Sequence, residues 1–108
     1  MRTLVLVLTA SLALSPAAFA AQPSFKCTPQ AKEVEKLICN DAELAEMDVT
    51  MASLYKRVLK NTPKADQQAL KAEQRGWLEG RNACWKAANH KACVKADYEA
   101  RIQELKDK

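Results

Sequence analysis

The chain has 108 residues, with 17 Lys and Arg against 13 Asp and Glu, a formal net charge of +4, and 48% hydrophobic residues. This length fits one small domain. The mild charge argues against a nucleic-acid-binding protein, which would carry a denser basic stripe with aromatics or a recognisable module. A solvated surface of mixed charge accounts for the composition.

Residues 1–20 have the pattern of a secretory signal peptide. Arg2 supplies a positive start, an apolar run extends from Leu4 to Leu14, and Ala18-Phe19-Ala20 is typical of a cleavage site. The run is shorter than the roughly 20 apolar residues of a membrane anchor, and no cysteine follows it directly for lipid attachment. We predict cleavage after Ala20, which leaves a periplasmic domain of residues 21–108 with 16 basic and 13 acidic residues, formally +3. Secretion into the medium is the alternative location.

Four cysteines in two local pairs follow the signal, Cys27 with Cys39 and Cys84 with Cys93. An oxidising destination favours disulfides, and four cysteines allow three connectivities. We favour local pairing, because the helices predicted below bring the ends of each pair together. A zinc site is disfavoured, since structural zinc sites use much closer cysteine spacings; no metal or cofactor is expected.

The first half of the domain predicts two helices. Thr28-Pro29 pairs a capping residue with a proline suited to the first helical position, so a short amphipathic helix should begin there and end near Cys39. Asn40-Asp41 should cap a second helix. Its apolar residues recur at steps of three and four: Leu44, Met47, Met51, Leu54, Tyr55, Val58 and Leu59. Asn61-Thr62-Pro63 should end it, because the residue before a proline resists helix.

The second half predicts two more helices. The third should run from Lys64–Asp66 to about Lys86, with an inner face of Leu70, Trp77, Leu78 and Cys84. The fourth should follow Ala88-Asn89-His90, with an inner face of Val94, Tyr98, Ile102 and Leu105. Four helices joined by short turns predict an all-α fold, a small antiparallel helical bundle with two disulfides.

Two charged residues fall on faces that should be buried. Asp48 shares a face with Leu44 and Met51, and Arg81 shares one with Trp77 and Leu78. Because a buried charge needs a partner, we expect these two side chains to meet across the bundle, together with the hydroxyl of Tyr55 or Tyr98. A catalytic or ligand-binding acid at Asp48 is the competing hypothesis.

These residues also carry a family resemblance. The first half contains Ser24-Phe25-Lys26-Cys27, Val34-Glu35-Lys36-Leu37-Ile38-Cys39 and Leu44-x-x-Met47-Asp48-x-x-Met51-x-x-x-Tyr55. The second contains Gln74-Arg75-x-Trp77-Leu78-x-x-Arg81-x-x-Cys84, then Cys93 and Tyr98-x-x-Arg101. Over residues 24–105 the chain resembles the LprI-type lysozyme-inhibitor family. The resemblance implies a small, mainly helical exported domain whose partner is a lysozyme or a related cell-wall hydrolase, and it supplies no set of inhibitory residues.

The segment between Cys84 and Cys93 is the candidate surface for binding such a target. A lysozyme has two carboxylates in an open cleft, and a disulfide-restricted turn could enter it with a small ordering cost. Trp85 would be the apolar anchor. Lys86, Asn89, His90 and Lys91 complete the candidate set, as groups that can hydrogen-bond to a carboxylate. An ordinary turn between two helices is the simpler interpretation of the same residues.

Two other hypotheses concern charge and function class. Five acidic residues cluster around the junction of the first two helices and would form either an acidic patch or simple helix N-terminal charges: Glu33, Glu35, Asp41, Glu43 and Glu46. An enzyme is disfavoured, because no nucleophile–base motif or phosphate loop is present. A non-inhibitory envelope module that binds a protein, peptide or wall fragment is the main alternative to an inhibitor.

Overall fold

A computed structural model of the chain describes residues 22–108, and the predicted signal peptide lies outside these residues. The described residues form four α-helices: α1 is Glu33–Cys39, α2 is Ala42–Asn61, α3 is Gln67–Asn82 and α4 is His90–Lys106. Single turns of 3₁₀-helix lie at Lys64–Asp66 and Ala83–Lys86. No strand occurs among the described residues, so the predicted all-α fold is confirmed.

Side-chain caps fix the starts of the long helices. Asp41 precedes α2, and its Oδ1 accepts a hydrogen bond from the backbone N–H of Leu44 at 3.0 Å. Asn89 precedes α4 in the same way, and its Oδ1 accepts from the N–H of Ala92 at 2.9 Å. Such bonds satisfy N–H groups that have no partner within the first turn of a helix. The cap predicted at Asp41 is therefore confirmed, and Asn89, predicted only as part of the break before the last helix, caps α4.

Two boundaries differ from the sequence prediction. Residues Thr28–Ala31 form a turn, closed by a 3.1 Å bond from the N–H of Ala31 to the carbonyl of Thr28. Helix α1 starts only at Glu33, where the carboxylate of Glu35 accepts from the N–H of Lys32 at 3.0 Å. At the other boundary, α3 tightens into 3₁₀-helix after Asn82, a change of winding that is common at helix C-termini.

The three long helices run up, down and up. Met51 meets Gln74 and Asp48 meets Arg81, so α2 and α3 are antiparallel. Helix α4 returns antiparallel to α3 and therefore lies parallel to α2. Helix α1 and the 3₁₀ turn after α3 contribute to the core together with the long helices. The core residues are almost fully buried: Val34, Ile38, Leu44, Ala45, Met51, Cys84, Val94, Tyr98 and Leu105.

Both disulfides have the predicted local connectivity. Cys27 bonds to Cys39 and Cys84 bonds to Cys93, with sequence separations of 12 and 9, and no cysteine is free. The first disulfide joins the N-terminal segment to the end of α1. The second joins the 3₁₀ turn after α3 to the first turn of α4.

Candidate functional site

A buried polar network lies between α2, α3 and α4. Asp48 and Arg81 are 1% and 3% exposed, and Arg81 Nη1 lies 3.5 Å from Asp48 Oδ1. The Tyr98 hydroxyl bridges them: it donates to Asp48 Oδ1 at 2.8 Å and accepts from Arg81 Nη1 at 3.0 Å. Burial, with the nearby Asp48 carboxylate, raises the pKa of Tyr98. The bridging hydroxyl is thus that of Tyr98, and Tyr55 makes no hydrogen bond among the described residues.

The N-terminal segment is attached to this network. The backbone N–H and the hydroxyl of Ser24 both donate to Asp48 Oδ2, at 2.7 and 2.5 Å. The Arg81 guanidinium lies 5.5 Å from the centre of the Phe25 ring, and its Nε and Nη2 donate to Asn82 Oδ1 at 3.1 and 2.8 Å. Both oxygens of Asp48 therefore accept hydrogen bonds from within the fold, an arrangement that favours a structural role over a catalytic one.

A second arginine, Arg101, is buried but is not among the residues predicted for the inner faces. Arg101 is 1% exposed and donates through Nε to Gln74 Oε1 at 3.0 Å and through Nη1 to Glu73 Oε1 at 2.6 Å. Its hydrogen bond to Glu73 lowers the pKa of that carboxyl. The alternating steps of four and three from Val94 through Tyr98 and Arg101 to Leu105 carried the signal for this burial. Ile102, which is predicted to lie on the inner face, is only half-buried.

The predicted binding segment is more helical than expected. Residues Ala83–Lys86 belong to the 3₁₀ turn and α4 begins at His90, so only residues 87–89 lie outside helix. Trp85 is 53% exposed, and the Lys86 ammonium lies 5.5 Å from the centre of its ring. A large apolar side chain is thus displayed on a short, disulfide-linked turn.

The other three predicted contact residues differ in whether their side chains already have partners within the fold. His90 is exposed at the start of α4, whereas the side-chain oxygen of Asn89 is used as the helix cap. Lys91 Nζ lies 2.8 Å from Asp41 Oδ2 and 3.8 Å from Glu43 Oε2. These contacts, first of all the hydrogen bond to Asp41, raise the pKa of Lys91. Lys91 therefore already has carboxylate partners within the chain.

The predicted acidic cluster is partly neutralised by α4. Lys91 pairs with Asp41, and Lys95 Nζ lies 2.8 Å from Glu43 Oε1. The partner lysine is the main cause that lowers the pKa of each of these two carboxyls. Asp41 and Glu43 thus form ion pairs that link the N-terminal ends of α2 and α4.

Asp97 lies against the Cys84–Cys93 disulfide. Its Oδ2 is 3.3 Å from Cys84 Sγ; because a disulfide sulfur carries no hydrogen, only a protonated Asp97 could donate there. Burial raises the pKa of Asp97, which favours that protonated form. The two sulfurs and this carboxylate lie within 4.8 Å of one another, but sulfurs that are bonded to each other are not thiolate ligands for a metal.

Two adjoining depressions lie between α3 and the N-terminal part of the domain. One, of about 510 Å³, is lined by Trp85 and Lys86 together with Glu33 and Glu79. The other, of about 450 Å³, is lined by Tyr55, Met51, Leu78 and Gln74 among others. Lys32 and Asn82 line both depressions, so the two meet at these side chains. Sequence patterns alone gave no signal for this groove.

The fold is a small helical domain with an exposed tryptophan, Trp85, on a disulfide-linked turn. Among the described residues, no group of side chains has an evident catalytic arrangement. Residues 26–105 match the family model described as lysozyme inhibitor LprI. The chain is 33% identical over 103 residues to proteins named lipoprotein LprI from Mycobacterium bovis and Mycobacterium tuberculosis H37Rv. The alignment covers 93% of this chain and 51% of each relative, so the chain spans about half their length. The chain belongs to the LprI lysozyme-inhibitor family.

No solved structure matches the chain. Within residues 22–108, no helix is both long and apolar enough to cross a membrane.

Proposed function

We propose that this chain is an exported inhibitor that binds a lysozyme and blocks hydrolysis of cell-wall glycan. The match of residues 26–105 to the LprI lysozyme-inhibitor family carries this proposal. The secretory pattern of residues 1–20, and relatives whose name includes "lipoprotein", support export, with the periplasm as the expected location. Inhibition by binding needs no catalytic residue, in keeping with an Asp48 carboxylate whose two oxygens accept hydrogen bonds within the fold.

The turn at the Cys84–Cys93 disulfide is the proposed contact surface. Trp85 is one of two large apolar side chains that stand exposed among the described residues, and the other, Val49, lies on α2. An exposed tryptophan on a restrained turn has the properties of an interface anchor, because it buries a large area while few torsions become ordered. The disulfide restrains both ends of the turn before any target binds.

The polar residues near Trp85 differ in whether they are free to contact the carboxylates of a lysozyme cleft. Lys86 and His90 are exposed and form no ion pair among the described residues, whereas Lys91 is held by Asp41 at 2.8 Å. Lys91 would have to exchange one carboxylate for another, with little net gain. We therefore assign the hydrogen bonds to those carboxylates to Lys86 and His90, and a lesser role to Lys91.

The test is an inhibition assay with purified, oxidised protein. Turbidity loss of a bacterial cell suspension is followed with several classes of lysozyme, and direct binding to each lysozyme is measured by calorimetry without glycan. We expect Trp85→Ala to weaken binding by about 30-fold, the factor that corresponds to a hot-spot loss of about 2 kcal/mol. Lys86→Ala and His90→Ala should each weaken it less.

Val49→Ala is the matched control, because Val49 is also exposed and apolar, at 42%, but lies on α2. It should bind as the unmodified protein does. No slowing of lysis by micromolar protein with any lysozyme class would refute the inhibitor proposal. Inhibition that Trp85→Ala leaves intact would place the contact surface elsewhere.

A further inference from the structure

The groove formed by the two adjoining depressions is a place where aromatic, polar and apolar groups converge. Trp85 lies at one end, and Tyr55 and Met51 line the other. The two depressions, about 510 and 450 Å³, are each within the range of small-molecule sites, about 300–1,000 Å³. An elongated ligand with two or more similar units would fit this arrangement better than a single compact molecule.

The charge of the groove favours a neutral ligand. Its exposed or half-buried ionisable residues are Lys32 and Lys86 against Glu33, Glu35 and Glu79. The remaining buried pair, Arg81 and Asp48, is compensated internally at 3.5 Å. The groove is thus close to neutral, without the excess of cations that a polyanion would require.

One buried amide in the groove has hydrogen-bonding capacity to spare. Gln74 is 7% exposed, and its Oε1 must face Arg101, since a guanidinium can only donate hydrogen bonds. This fixes the amide orientation and turns Nε2 toward Met51, whose Sδ accepts from it at 3.2 Å. A thioether sulfur is a weak acceptor, so this NH₂ group is only poorly satisfied by the fold.

The surroundings of that amide suit an acetamido group. Gln74 and Tyr55 offer donors for a carbonyl oxygen, since the Tyr55 hydroxyl makes no hydrogen bond among the described residues. Met51, Ala52 and Leu78 line the same depression and provide apolar surface for a methyl group. At the other end, Trp85 offers ring surface for the C–H face of a sugar beside the Lys86 ammonium, which lies 5.5 Å from the ring centre. Glu79 and Asn82 line the same depression; the Asn82 oxygen is bonded to Arg81, so its NH₂ group and the Glu79 carboxylate are the groups that can hydrogen-bond to sugar hydroxyls.

We propose that this groove binds a neutral glycan whose sugars carry N-acetyl groups, with an acetamido group at Gln74 and Tyr55 and a neighbouring ring on Trp85. The helical walls favour this occupant over an extended peptide, because they offer no open strand edge for backbone pairing. An amphipathic helix is disfavoured, because the depression at Trp85 is lined mainly by polar and charged residues, among them Lys32, Glu33 and Glu79. The site goes beyond lysozyme binding and shares only Trp85 and Lys86 with the proposed contact surface.

The test is calorimetric titration of the purified, oxidised protein with N,N′,N″,N‴-tetraacetylchitotetraose. Cellotetraose, which has the same β-1,4 linkage but no acetamido groups, is the matched ligand. We expect saturable binding of the acetylated tetramer and at least about tenfold weaker binding of cellotetraose. Cellotetraose should bind more weakly because it leaves the polar groups that would bond the acetamido group unpaired. No saturation with either sugar overturns the proposal, and equal affinity for both overturns the acetamido assignment.

Variants locate the site and separate it from lysozyme binding. Tyr55→Phe removes only the hydroxyl and should weaken binding of the acetylated tetramer by about threefold to tenfold, and Trp85→Ala should weaken it by tenfold or more. Val49→Ala should leave it unchanged, with thermal unfolding as the check on folding. Equal affinity of Tyr55→Phe and the unmodified protein would overturn the assigned position.

The two binding proposals fail separately in these measurements. Tyr55→Phe should leave lysozyme affinity unchanged, and His90→Ala should leave glycan affinity unchanged, because Tyr55 lies away from the turn and His90 does not line the groove. Glycan binding without lysozyme binding would remove the inhibitor proposal and leave the groove. The reverse result would remove the groove and leave the inhibitor.

Discussion

Replacement of Asp48 by alanine is expected to destabilise the domain severely. The change leaves the Arg81 guanidinium, which is only 3% exposed, without its carboxylate partner. It also removes the hydrogen-bond acceptor of Tyr98 and Ser24. Loss of one partner from a buried ion pair costs about 3–5 kcal/mol. A domain of this size has a free energy of unfolding of roughly 4–13 kcal/mol, and the melting temperature should fall by about 12–40 °C.

The measurement is urea unfolding of the oxidised protein, followed by circular dichroism at 222 nm and fitted for both midpoint and slope. Glu46→Ala is the control, because Glu46 is exposed on the same helix and forms no ion pair among the described residues; its effect should stay within about 0.5 kcal/mol. The double variant Asp48→Leu/Arg81→Met replaces both charges by apolar groups and should regain much of the loss. A loss below about 1 kcal/mol for Asp48→Ala, or a double variant no more stable than the single one, would contradict this account of the network.

Three further outcomes follow from other parts of the structure. Gly76→Ala should raise the free energy of unfolding by about 1 kcal/mol, because a Cβ at this helical position meets nothing within 4 Å; a loss in urea unfolding would contradict this open environment. Burial raises the pKa of Asp97 in the folded state above its usual 3.8, so stability that is present below pH 3.8 is lost as the pH rises through the folded-state pKa. Asp97→Asn should therefore raise the melting temperature at pH 7, with a gain that shrinks as the pH is lowered and vanishes below 3.8; a gain that is the same at every pH would refute burial as the cause. Cys84→Ser/Cys93→Ser should lower the free energy of unfolding by about 3 kcal/mol in the chain-entropy model and also weaken lysozyme binding. Loss of the Cys27–Cys39 bond should lower stability alone. If both losses weaken lysozyme binding equally, the turn has no special role in binding.

The helices and disulfides were predictable because their signals are local. The apolar period of α2, the cap at Asp41, the break at Ala88-Asn89-His90 and the stop before Pro63 act within a turn or two of their own position. The cysteine pairing followed from the same local helices. Thr28 shows the limit of such signals, since a capping residue followed by proline suits a turn as well as a helix start.

The polar contacts and the groove depend on distant residues, which single-sequence patterns do not bring together. The buried faces placed Asp48 and Arg81 near each other, but the bonds from Ser24 cross 24 positions along the chain. Arg101 shares the spacing of the apolar inner-face residues, but an arginine is rarely fully buried unless it is paired, and its partners Glu73 and Gln74 lie on another helix. The contacts of Lys91 with Asp41 and Glu43 likewise required the parallel placement of α2 and α4, which the helix pattern alone does not specify.

The local connectivity of the disulfides leaves the two halves of the domain without a covalent cross-link. One disulfide closes within residues 27–39 and the other within residues 84–93, so neither spans the connection between α2 and α3. A single proteolytic cut at Thr62–Asp66 would yield two fragments, each with its own intact disulfide. These fragments would stay associated only through the core and the Asp48 network, and denaturant alone would separate them without a reducing agent.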